Sequence, residues 1–485
     1  MAADDHKPVA DVTGGQGELV RSLGPFHLMA LGIGAIIGAG IFVITGTAAA
    51  EHAGPGIVIS FIIASVGCAA AGLCYAELAA MIPFSGSAYT YAYVAFGRLA
   101  AWIIGWDLVL EYAMAASTVS VGWAGYFKSF LANIGILLPD ALSEAPLAAG
   151  SGGELITFTG ALINLPAVGI ILFLTALLMV GIRASATVNG LMVMLKLAVV
   201  IAIIAFGLPL IKAGNLDPFI PPVTAEGKYG WWGVIMASGI IFFAYIGFDA
   251  VSVAAQEAKN PQRDLPIGIL GSLAICTVLY ILMALTMTGL AHYTTLGVPN
   301  PVSVAMQAEP QLRWLEPWVN LGAITGLSTV ILVSLYGQTR IFYSMARDGF
   351  LPPVFAKVHP VFATPVNGTL LVGVFAAVFG GLFPIGILGE LVSIGTLLAF
   401  VLVCMGVIAL RMSHPKVLRP FKTPLYPFMP LVGVAVCGYM MWNLPTDTWA
   451  RLLVWFLIGL AIFALYGAAH AKTPTWKLED APDVK

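Results

Sequence analysis

Charge is what this sequence has least of. Asp, Glu, Lys and Arg together make 9% of its 485 residues, against about 25% in ordinary soluble domains, so a soluble globule is excluded. The formal net charge of -2 offers no basic face to nucleic acid. Cysteine is scarce as well: Cys68, Cys74, Cys276, Cys404 and Cys437 all fall in apolar runs without metal-ligand spacing and read as packing residues. The seven histidines are scattered over tails, loops and span ends, which leaves no metal cluster. No Ser-His pairing or nucleotide loop stands out, so neither an enzyme nor a cofactor is expected. The N-terminus carries Asp4 and Asp5 in place of a basic n-region, and no cleaved signal is expected.

What the chain has in quantity is apolar length. Apolar residues make 59% of it and the mean hydropathy is +0.94, the composition of a polytopic membrane protein. The sequence predicts an all-α chain of about twelve spans, each able to cross roughly 30 Å of hydrocarbon. They fall near 26–50, 56–80, 98–126, 166–182, 186–209, 231–256, 266–290, 318–343, 366–384, 388–411, 428–445 and 449–470. Residues 85–97 read as a short interfacial helix, and 127–165 and 291–317 as surface loops with some helix. Of the 22 Lys and Arg, only Lys128, Lys212, Lys228, Arg313 and Arg451 fall on one side and Lys196 within a span, which leaves 16 on the other. That bias places both termini in the cytoplasm, with the chain in the plasma (inner) membrane. The expected layout is a cytoplasmic segment 1–25, a core 26–411, two further helices in 412–470 and a cytoplasmic tail 471–485.

The first span holds the most informative stretch, GIGAIIGAGIFV from Gly32 to Val43. Each glycine costs roughly 1 kcal/mol relative to alanine inside a helix, and four of them predict a break. A break exposes N–H groups at the start of the second half-helix, where the dipole is positive, and so suits a carboxylate. The alternative is close helix packing through Gly34 and Gly38. A dinucleotide fingerprint fails on spacing and on the absence of a preceding soluble strand. MASGIIFFAYIGFDAV, from Met236 to Val251, echoes the opening of the first span five spans later. An odd number of crossings per unit inverts the second copy, which is the plan of many secondary transporters, with the site at two broken helices. The two copies are expected at 26–209 and 231–411.

GIGAIIGAGIF, FFAYIGFD (Phe242 to Asp249), NPQRDLPIGI (Asn260 to Ile269) and YGQTRIFYSMARDGFLP (Tyr336 to Pro352) occur in the order that the amino acid, polyamine and organocation transporter superfamily has them. From about residue 20 to 470 the chain resembles that superfamily, and within it the bacterial type of the cationic amino acid transporter branch. The resemblance implies a LeuT-like five-plus-five inverted repeat with helices 1 and 6 broken. It implies that N–H groups around Ile37, Gly38, Ala39 and Gly40 hold a substrate α-carboxylate, and that carbonyls of Phe243, Ala244 and Ile246 accept from its α-ammonium. An unwound helix offers both kinds of group, which complements a zwitterion. Phe243 would also gate the site. Ala39 departs from the many relatives that place Ser or Thr there, which removes one hydroxyl from the site. The partners implied are an amino acid substrate, protons and the bilayer, and the resemblance allows for a small partner subunit without naming one.

Ionisable residues inside spans cost about 2.5 to 3.5 kcal/mol on insertion scales and need a reason. Asp107 and Glu111 lie at i, i+4 on one face of the third span. Asp107 reads as a structural partner, and Glu111, followed by Ala113, Ala115, Ala116 and Ser117, as a pocket residue. Asp249 is either a helix cap or a ligand. Glu77, Glu257 and Arg340 read as gate or interface salt bridges, and the basic loop Arg411 to Lys422 as a topology determinant. In the plan that the resemblance implies, the fifth span faces the break in the first, where sodium-coupled relatives bind a cation. Lys196 would supply that charge covalently and carry the coupling proton; the alternative is a lysine that snorkels to the interface. Secondary transport, proton-coupled or by exchange, leads the readings of function. A channel would call for equivalent subunits around a filter.

Overall fold

The computed structural model describes residues 21–471 apart from 85, 150–155, 181, 225–227, 299, 361, 363, 443 and 445. Most of the expected N-terminal segment and nearly all of the expected tail, residues 1–20 and 472–485, lie outside the described residues. The described chain is mostly helical, as a backbone in hydrocarbon must be when its polar groups find partners within each segment. Among the described residues, eight stretches are long and apolar enough to cross a membrane, and three shorter apolar helices accompany them, Leu165–Val180, Val366–Leu382 and Phe428–Trp442. The sequence reading expects about twelve. The difference has two sources. Pro25–Met81 counts as one apolar run although Gly54 at φ 57° and the Gly54–Gly56 turn divide it, and the three short helices have 16, 17 and 15 residues.

One element corrects the all-helical expectation. Within 127–165 the Arg98–Asn133 helix runs past its expected end at 126, and a two-stranded antiparallel ribbon follows, β1 (Leu147–Ala149) with β2 (Ile156–Phe158). Leu147 pairs with Phe158 in its register. The expected interfacial helix is present as Ala88–Phe96, closed by Gly97 at φ 87°.

Two helices are interrupted in mid-course. Pro25–Ile36 ends where Ile37 turns extended at ψ 99°, and the chain resumes at Gly40–Ile44 as a wider helical turn. Gly230–Phe242 tightens into a single turn at Phe243–Tyr245, opens at Ile246 with ψ 135°, passes Gly247 at φ 118° and resumes at Ala250–Val253. The two breaks touch. A β-carbon on Gly40 would fall 2.3 Å from Cβ and 2.4 Å from Cα of Ala244, and one on Gly247 would fall 2.7 Å from Cβ of Ala35. Glycine is therefore what lets the interrupted backbones meet. Around them pack the Ile182–Gly207, Pro261–Leu290 and Glu316–Arg347 helices, and Glu316–Arg347 in turn packs on Arg98–Asn133. The five cysteines are free and buried.

Candidate functional site

The site starts from backbone that a helix cannot satisfy. The Ile37 N–H still donates to Ile33 O at 3.0 Å and Phe42 N–H reaches Gly38 O at 3.2 Å, whereas the N–H groups of Gly38, Ala39 and Gly40 have no backbone acceptor among the described residues. This narrows the expected carboxylate contacts to the three residues after Ile37. Loosened carbonyls on the other side of the break are taken by side chains. Lys196 Nζ donates to Gly34 O at 2.8 Å, to Ile37 O at 2.7 Å and to Thr329 Oγ1 at 2.7 Å. Three donors meet three acceptors, the full complement of an ammonium. Lys196 is completely buried, so it does not snorkel to an interface. Thr329 has one proton of its own to place on Gly34 O at 2.9 Å or Gly326 O at 2.7 Å.

The second break is tied to the first by a hydroxyl. Tyr280 OH lies 2.6 Å from Ile36 O and 2.8 Å from Ala244 O, one proton between two carbonyls. Phe243 O accepts from Ile246 N–H at 3.2 Å. Of the three carbonyls expected to receive an α-ammonium, two already hold one partner each, and each keeps a second lone pair.

A cavity lies against both breaks. Its lining includes Gly38, Ala39, Gly40, Glu111, Phe243, Ile246 and Asp249, seven of the nine substrate residues expected from the sequence. Ile37 and Ala244 are not among the lining residues: the first is turned into the Lys196 cluster, and the second packs on Gly40. The rest of the wall is largely aliphatic, with Ala115, Val119, Val330, Val333 and Val392, while Ser334 and Tyr112 add hydroxyls. Two carboxyl groups face this space and no basic side chain lines it. Asp249 Oδ2 accepts from Tyr112 OH and the Glu111 carboxyl lies against that of Asp249, while no hydroxyl or basic side chain among the described residues reaches Asp249 Oδ1 or either oxygen of Glu111. The Asp249 side chain makes no capping bond, so of its two readings the cap is the one the geometry removes. Asp107 is buried one turn away, outside the lining and beside Gly395, with neither oxygen bonded among the described residues. Among the described residues no side chain hydrogen-bonds to it.

Sequence reasoning missed Tyr112, Tyr280 and Thr329. Tyr112 adjoins the singled-out Glu111, and Thr329 lies in an unremarkable apolar run. A buried hydroxyl in a span is a signal in principle, but the spans contain many, and most bond their own helix one turn back, as Thr118 does to Met114 O at 2.8 Å.

At the end of the bundle beyond Asp249, Glu257 accepts from Arg340 Nε at 2.9 Å and from Tyr336 OH, all three buried. Its carbonyl receives Ser22 N–H and Leu23 N–H at 3.0 and 2.9 Å, and Lys259 N–H returns to Leu23 O at 2.8 Å. Glu77 binds Arg411 through two hydrogen bonds of 2.9 and 2.6 Å. The three charges singled out near span ends are thus interface ion pairs.

Comparison with known proteins adds the following. The family described as Amino acid permease matches residues 23–467. The branched-chain amino acid permease BcaP of Bacillus subtilis is 48% identical over 461 residues, 95% of this chain and 96% of that one. The methylthioribose transporter of the same organism is 44% identical over 453 residues, 93% and 95% of the two chains. The vacuolar cationic amino acid transporter 4 of Arabidopsis thaliana is 38% identical over 402 residues, 83% of this chain and 65% of that one.

Proposed function

Because this chain belongs to the amino acid permease family, we propose that it is a secondary active transporter of L-amino acids, driven by protons and working by alternating access. Its named relatives are permeases and transporters, not enzymes, and its several apolar helices make it a multi-pass membrane protein. The observation that carries the proposal is the meeting of two helix breaks at one cavity, with the N–H groups of Gly38, Ala39 and Gly40, which have no backbone acceptor among the described residues, on one side and the opened backbone of Ile246 on the other. Those N–H groups take the α-carboxylate, and the carbonyls of the second break take the α-ammonium. The repeats are the LeuT-like five-plus-five, inverted, in a chain of twelve crossings. Eight long stretches, the division of the first at Gly54 and three shorter helices are compatible with that count. Both termini lie in the cytoplasm of a plasma membrane.

The aliphatic wall of Val119, Ile246, Val330, Val333 and Val392 favours neutral branched side chains, in keeping with the name of one relative. A second reading, cationic amino acids, rests on Glu111: it lies beside Asp249 and no basic side chain lines the cavity, so a substrate ammonium or guanidinium would find a charge-assisted bond there. Lys196 carries the coupling proton. Protonated, it pins Gly34 O and Ile37 O of the first break; deprotonated, it gives up one of its three bonds and frees the first span to move.

Proteoliposomes test both halves. Leucine and lysine uptake should saturate, show counterflow and rise with an inward proton gradient, and Lys196→Met should keep substrate binding while losing the acid stimulation. Unsaturable current would mean a channel. Wild-type acid stimulation in Lys196→Met would place coupling elsewhere, and counterflow without any response to the gradient would make the protein an exchanger.

A further inference from the structure

Arg411 in the last turn of the Ile385–Ser413 helix, with Lys416, Arg419 and Lys422 in the loop that leads from it into Phe428–Trp442, make four basic residues, and there is no acid from 411 to 428. The structure divides the four into two pairs. Arg411 turns inward: besides its two bonds to Glu77 it donates to Thr423 O at 3.1 Å and lies 4.4 Å over the ring of Tyr426. Arg419 folds back on the helix end, donating to the carbonyls of Val417, Leu410 and His414 at 2.8, 3.1 and 2.8 Å. Thr423 N–H closes on Glu77 at 2.7 Å, so both ends of the loop are fixed to one buried carboxylate. Lys416 and Lys422 are left on the outer surface, exposed and with no acidic partner among the described residues.

Apolar side chains accompany them. Met412, Leu425 and Phe428 are 74%, 68% and 60% exposed, in a segment that carries an excess of positive charge because Glu77 alone stands against two guanidiniums. Apolar side chains beside unpaired ammonium groups suit the boundary between acyl chains and headgroups, where the one finds hydrocarbon and the other phosphate. We propose that this stapled loop is a binding surface for anionic phospholipid headgroups, with Lys416 and Lys422 as the phosphate contacts and Met412, Leu425 and Phe428 inserted beneath them. The loop is held in shape by Arg411, Arg419 and Glu77, so the two lysines are presented without a backbone ordering cost at binding.

The test uses the full chain in nanodiscs of mixed phosphatidylcholine and phosphatidylglycerol, with the lipid retained after extraction counted by native mass spectrometry. The wild type should be enriched in phosphatidylglycerol. The double variant Lys416→Gln/Lys422→Gln should lower that affinity by about 25-fold at low salt, about fivefold for each lysine, and the difference should shrink as salt rises. Lys357→Gln removes an exposed charge elsewhere on the surface and should change nothing. Equal loss in Lys357→Gln would reduce the effect to general attraction and overturn the proposal. Displacement of the lipid by millimolar inorganic phosphate would identify a free-anion site in its place, and unchanged retention in the double variant would rule the surface out. Both lysines are exposed, so a thermal unfolding midpoint equal to wild type is expected and separates lost binding from lost fold.

Discussion

Gly38 and Gly40 stand two residues apart in the same break, yet their surroundings differ in kind. A methyl on Gly38 meets only the Cγ2 of Val330, at 2.5 Å, the far end of a side chain that can be shortened. A methyl on Gly40 meets the main chain of Ala244, which cannot. Gly38→Ala should therefore lower substrate affinity and regain most of it with Val330→Ala, whereas Gly40→Ala should cost about 1 to 3 kcal/mol of stability and resist rescue by Ala244→Gly. Isothermal titration and thermal unfolding of the four variants decide this; equal rescue at both positions would mean that both glycines serve only the pocket. The sequence showed a cluster of glycines and left binding and packing open, and the structure sets the two glycines against different neighbours. Nothing local could have done so, because Ala244 and Val330 stand some two hundred and three hundred residues along the chain. Lys196 was legible for the opposite reason: a single charge inside LMVMLKLAVV stands out whatever it touches, though its partner Thr329 did not.

The elements that carry the site were readable because their signals are strong. Glycine density marked the first break, and the repeated Met-Ala-x-Gly opening drew attention to the second. Where signals were weak the reading slipped. Helices of 15 to 17 residues fall at the edge of what spans a bilayer, and the Leu147–Ala149 ribbon lies in a loop whose Ser and Gly suggested no pairing. The link between the resumed second helix and the Glu316–Arg347 helix is the Glu257–Arg340 pair. Both partners are buried, so removing one leaves a charge without compensation, at a cost of about 3 to 5 kcal/mol. Arg340→Met should lower the unfolding midpoint, and Glu257→Gln/Arg340→Met should recover most of it. A single variant as stable as wild type would mean that the pair does not hold these elements together.

For the whole molecule the decisive question is which side the cavity opens to, and the buried cysteines make it measurable. All five are shielded, so the wild type should react little with a membrane-impermeant thiol reagent. Ser334 lines the cavity. Ser334→Cys should be labelled from one face of the membrane at a time and be protected by saturating substrate; labelling that substrate leaves unchanged would separate this cavity from the transport path.

Glu257 also joins two kinds of constraint in one residue. Its carboxylate holds the buried Arg340, a role that needs its negative charge. Its carbonyl holds the N–H groups of Ser22 and Leu23, and Lys259 N–H closes the loop on Leu23 O, bonds that come from atoms every amino acid but proline possesses. Drift in side-chain identity at 22, 23 and 259 should therefore leave the tether intact in descendants of this chain, with proline as the one replacement it does not absorb, while position 257 itself is free to vary only in step with 340.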